Sequence, residues 1–217
     1  MKPAASLGVT LLLAACASGP PPPDWQASAS AALDAAVAAH LRGDARIEAL
    51  ETARARQEIA RTGRPELLAR AELKRCAARV ASLQFEPCAA FEALRADAAP
   101  AERAYADHLA GRAAGAAASL LPPAQRAVAA AGTNEAAAVL RGIDDPLSRL
   151  VAAGVLLESG RAGPEAIALA VDTASAQGWR RPLMAWLRVA RERAAAGGDA
   201  AEAARLQRRL DLVETPR

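Results

Sequence analysis

Aromatic side chains are scarce in this chain: Trp25, Phe85, Phe91, Tyr105, Trp179 and Trp186 are the full set among 217 residues. Strand cores draw on aromatic and β-branched residues, so an all-β domain is excluded. Lysine is nearly absent, with Lys2 and Lys74 set against 25 arginines, and the formal net charge is +3. Losing Lys2 with a leader leaves +2, spread along the chain without a polybasic block, which gives no case for nucleic acid as a partner. Histidine is limited to His40 and His108. With no histidine cluster and no spare thiolates, no metal or other cofactor is expected, and both imidazoles read as packing or helix-surface residues. Gly197-Gly198-Asp199 lacks the lysine and hydroxyl of a phosphate loop. A serine nucleophile on a strained strand-to-helix turn is excluded along with the strands.

Alanine, leucine, arginine and glutamate are abundant, and these residues favour helices. Hydrophobic residues make up 53% and charged residues 24%, the balance of a folded chain and not of a disordered one. Helical patterns recur every 15 to 20 residues or so between glycine and proline breaks. The first runs from Trp25 to Leu41 with Leu33, Ala36, Val37 and His40 on one side; Gly43-Asp44 then supplies a stop and an N-cap for a second, Ala45 to Arg61. Gly63-Arg64-Pro65 opens a third, Glu66 to Leu83, striped by Leu73, Cys76, Ala77, Val80 and Leu83. Pro87 and Pro100 are expected in the first turns of two more helices. Leu121-Pro122-Pro123, Gly132-Thr133-Asn134, Asp144-Asp145-Pro146 and Gly163-Pro164-Glu165 mark further starts. Near the C-terminus Leu183, Trp186, Leu187 and Ala190 form a regular stripe. After Gly197-Gly198, Asp199 and Glu202 read as a capping box before a final helix with Ala203, Leu206, Leu210 and Val213 inside. The expected fold is all-α, built of antiparallel helical hairpins as an irregular bundle or a short α-solenoid, with residues 25–217 forming one domain.

The N-terminus carries Lys2, an apolar stretch from Leu7 to Leu13, and small residues before Cys16. The run Leu13-Ala14-Ala15-Cys16 resembles the lipobox of bacterial lipoproteins, and the helical body resembles tetratricopeptide-type repeats. The lipobox resemblance implies a signal peptide over 1–15, cleavage by signal peptidase II, and Cys16 as an acylated, palmitate-bearing N-terminus. Several acyl chains hold a protein on a membrane durably. Ala17, where aspartate favours inner-membrane retention, implies the outer membrane and a periplasm-facing body. Residues 16–24, with Pro20 to Pro23, then act as an extended tether.

Cys76 and Cys88 remain as an even pair in an oxidising compartment and are expected to form a disulfide. Val155-Leu156-Leu157-Glu158-Ser159-Gly160 resembles the start of the Glu-Ser-Gly motif of lytic transglycosylases. Nothing downstream matches that family's Gly-Leu-Met-Gln segment, so Glu158 reads as an exposed residue in a last helical turn. The expected function is therefore a non-enzymatic, membrane-anchored adaptor that binds another envelope protein. The alternative is a structural lipoprotein that contacts peptidoglycan. Tyr105 and Trp179 are the candidate partner-binding residues, because large aromatic side chains concentrate interface energy. Trp186 reads as core.

Overall fold

The computed structural model describes residues 23–112 and 115–215, so the leader, Cys16 and most of the proline-rich tether lie outside the described residues. Among those described, every regular element is a helix. The first three are α1 (Asp24–Arg42), α2 (Ala45–Ala60) and α3 (Pro65–Ala81). Gly43 closes α1 at φ 87°, a left-handed conformation that other residues adopt at a cost. The Asp44 carboxylate accepts from the Ile47 amide at 3.0 Å to start α2. The same device joins α10 (Arg180–Ala196) to α11 (Ala200–Glu214), where Asp199 accepts from the Glu202 amide at 2.9 Å. The reciprocal half of the expected capping box is not made: the Glu202 carboxylate turns to Arg205, a partner one turn on that offers two charged donors.

Proline sets the starts of α5 (Pro100–Leu109), α6 (Pro123–Ala130), α8 (Pro146–Glu158) and α9 (Pro164–Ala176), each in the first turn where its missing N–H is harmless. Pro87 departs from this pattern. The helix expected there is a single turn, α4 (Ala89–Glu92), and the chain then runs through turns to Pro100. Cys88 is bonded to Cys76 of α3 across a Cα separation of 6.0 Å, which ties the segment to α3 before a longer helix can form. A 3-10 turn (Gly115–Leu120) and α7 (Ala136–Arg141) complete the chain. Arginines also bond carbonyls at the ends of the short helices α6 and α7. Arg149 donates to the Leu140 and Ile143 carbonyls, and Arg161 to those of Val128 and Ala131, satisfying helix-end acceptors that would otherwise be buried unpaired.

The core is centred on α3 and α8. From Leu150 to Leu156 every residue of α8 is buried, the signature of a helix enclosed on all sides. At Gly154 the two helices touch so closely that a β-carbon would lie 2.5 Å from the Val80 carbonyl oxygen. Trp186 of α10 is fully buried as expected, and its indole Nε1 donates to the Ala81 carbonyl at 3.1 Å, capping the end of α3. α1 packs against α2, α3 and also α10, so the first helix meets the penultimate one. In a solenoid each unit touches only its sequence neighbours. The helices therefore form an irregular bundle and not a tetratricopeptide-like stack.

Candidate functional site

A groove of about 740 Å³ lies over the outer face of α3. Helical spacing puts Arg70, Leu73, Lys74 and Ala77 of α3 along it. α1 adds Asp34 and Val37 on one wall, and α5 adds Glu102 and Tyr105 on the other. The first turns of α8 and the Leu120–Pro123 stretch close one end. The floor is apolar, with Leu73, Leu121 and Val151 buried beneath it. Leu120, 44% exposed, stands at the lip.

The rim is charged and only partly self-satisfied: two ion pairs span it, while Glu102 Oε2 is buried without a hydrogen-bond partner among the described residues. Lys74 Nζ lies 2.5 Å from Asp34, and Arg70 lies 2.9 Å from Glu102. Asp145 is occupied as the N-cap of α8, accepting from the Ser148 amide at 2.6 Å, and Arg126 Nε donates to the Leu121 carbonyl at 2.8 Å. Burial pushes the Tyr105 phenol above its ordinary range, and the nearby Asp145 charge pushes it further the same way. The ring stacks on His108 with centroids 6.3 Å apart. Behind it, His108 Nε2 donates to Gln125 Oε1 at 3.1 Å, and Gln125 Nε2 donates to the Ser148 carbonyl at 3.0 Å. Burial holds the His108 imidazole below its usual pKa and Arg161 adds to this, while the Gln125 bond opposes it. A neutral histidine thus braces the Tyr105 wall. What the groove offers chemically is binding: an apolar floor, two ion pairs on its rim and a protonated phenol.

Of the two aromatic candidates, the structure brings only Tyr105 to the groove. Trp179, the other candidate, is partly buried at the start of α10, packed on the cluster of Val37, Leu41 and Ala78 together with Leu147. Gly178 at φ 63° ends α9 and reverses the chain there, which leaves the indole against α1 and α3. It joins helices. Glu158 is exposed in the last turn of α8 and is not among the groove's lining residues. The α8 and Leu120–Pro123 contributions were not singled out in the sequence, although two leucines ahead of a proline pair are an available signal for an apolar lip.

His40 makes a second buried polar junction. Its Nδ1 lies 3.0 Å from the Glu48 carboxylate, which Arg181 of α10 also approaches at 3.6 Å. Burial pushes the imidazole below its ordinary pKa; Glu48 opposes this, and Arg181 and Arg79 reinforce it. His40 Nε2 and Arg181 Nε have no hydrogen-bond partner among the described residues. Among those residues no group of three or more His, Cys, Asp or Glu side chains is placed to hold a metal ion, and no helix is long and apolar enough to cross a membrane. No family model, curated protein or solved structure matches the chain.

Proposed function

We propose that this chain is an envelope lipoprotein, anchored through Cys16, whose helical body holds another protein in the groove beside Tyr105. The observation that carries the reading is the groove itself: an apolar floor walled by five helices, with two ion pairs, Lys74–Asp34 and Arg70–Glu102, already made on its rim. Such a surface rewards burial of a partner's apolar side chains without requiring those charges to be desolvated unpaired. A braced aromatic wall adds contact area at little entropic cost, as binding hot spots do. A lipid at Cys16 would confine the body to the membrane surface and raise its effective concentration toward any partner there.

The test is site-specific photo-crosslinking in cells of the native host. A photoreactive residue replaces Leu120 at the lip, or Leu50, which is 60% exposed on α2, a helix that contributes nothing to the groove's lining. The reading expects one or a few discrete protein adducts from position 120, none of them from position 50, and their loss in a Cys16→Ser background. Identical adduct patterns from both positions, or no adduct from 120, would refute it. Adducts confined to sacculus fragments would refute it in favour of peptidoglycan contact.

A further inference from the structure

A second groove, of about 400 Å³, lies where α9 and α11 both pack against α10. Its floor is formed by the outer edges of core side chains, chiefly Ile167 and Val171 from α9 and Leu206 from α11. Its charges are arranged unlike those of the Tyr105 groove. Arg205 is consumed by its own helix, donating from Nε and Nη2 to both Glu202 oxygens at 2.6 Å. Arg193 on α10 and Arg209 on α11 face the groove without an ion-pair partner or a side-chain hydrogen bond among the described residues. Arg209 is half-buried on α11, with its charge near enough to Glu202 to act on that carboxylate. Asp172 on the α9 wall is the one carboxylate of the groove outside the Arg205 pair. The excess is positive and sits on the α10 and α11 side; α10 itself carries five arginines and a single glutamate.

We propose that this groove docks an amphipathic helix of a partner protein, with an apolar stripe on Ile167, Val171 and Leu206 and a flank of carboxylates on Arg193 and Arg209. Helical geometry favours this occupant: a furrow between two helices accepts the ridge of a third, and apolar residues at i, i+3, i+4 and i+7 make such a ridge. Guanidiniums favour carboxylates because the fork of donors matches two oxygens at once. The proposal is independent of the Tyr105 groove, with which this one shares no lining residue.

The probe is a fluorescent helical peptide of about four turns with leucines at those positions and glutamates on one flank, alongside a twin with lysines in place of the glutamates. Binding to the full-length protein is read by anisotropy. The acidic peptide should bind at least tenfold more tightly than its twin and weaken as salt rises. Arg193→Glu with Arg209→Glu should remove at least tenfold of that affinity. Ala168→Trp, at an exposed position on the α9 wall, should block the groove with its arginines intact. Equal binding of both peptides, binding of neither, or binding that survives both variants would overturn the proposal. Loss of binding on Leu120→Asp would move the peptide to the other groove and overturn it too. So would a dimer in sedimentation that both variants dissolve, since the occupant would then be a second copy of this chain.

Discussion

Gly154→Ala is the sharpest probe of the core. In an isolated helix the change would stabilise, because glycine is about 1 kcal/mol worse than alanine in a helix interior. In this fold the added methyl would lie 2.5 Å from the Val80 carbonyl oxygen and 2.9 Å from Val80 Cγ1. Ordinary contact begins near 3.4 Å. The carbonyl belongs to α3 and is held by its helix, so relief requires α3 and α8 to separate by roughly 1 Å along their contact. Overpacking of this kind costs about 1–3 kcal/mol, and a clash with backbone belongs at the upper end or above. Set against the propensity gain, the net loss is about 2 kcal/mol, and for a chain of this size that lowers Tm by about 4–8 °C. The assay is thermal unfolding by circular dichroism of the Cys16→Ser protein, purified without its lipid. Gly132→Ala is the control, since a β-carbon there meets nothing within 4 Å. A Gly154→Ala protein that melts at or above the parent temperature would refute the close crossing and the packing built on it.

Three further outcomes follow from the same geometry. Replacing Cys76 and Cys88 together by serine should remove about 3 kcal/mol, the chain-entropy value for a crosslink spanning 12 residues, measured by urea unfolding with and without reductant. Reductant should no longer change the midpoint in the double variant. Trp179→Ala should lower stability by about 2 kcal/mol, as loss of a half-buried aromatic requires, while leaving Leu120 crosslinking intact in the folded fraction. A stable variant with lost crosslinking would return Trp179 to the binding surface. For pH, His40 and His108 both have folded pKa values below the unfolded 6.5, so the unfolded chain binds more protons as pH falls. Their contribution is present above about 6.5 and is lost below it, at no more than about 1.4 kcal/mol per pH unit for each histidine. His40→Gln should flatten the slope of unfolding free energy between pH 6.5 and 5, and an unchanged slope would show that His40 does not titrate there.

Much of the fold was legible because the signals are local. Asp44, Asp145 and Asp199 cap the helices they precede, and Pro65, Pro100, Pro123, Pro146 and Pro164 sit in first turns as read. The third helix stops at Ala81 and not Leu83: Leu83 adopts φ 57°, and the Gln84 amide reaches back to the Arg79 carbonyl. That left-handed leucine has no sequence signal of the kind glycine gives. The Cys76–Cys88 bond was legible as an even cysteine pair. Tyr105 and Trp179 were singled out by their rarity alone; Tyr105 lines the groove, and Trp179 packs at a helix junction.

The sequence by itself determined that the chain is helical, where its longer helices begin, and which face of each is apolar, because caps, turn residues and periodicity act within a few residues of one another. It did not determine which helix lies against which. Stripes of alanine and leucine fit one another almost interchangeably, and the choice falls to close approaches such as Gly154 on Val80 and to single bonds such as Trp186 to Ala81. Only that packing decided that α1 meets α10, that both histidines are buried, and that one groove carries two ion pairs on its rim while Arg193 and Arg209 in the other have none among the described residues. Grooves are made by elements distant in sequence, and their chemistry exists only once those elements are in place.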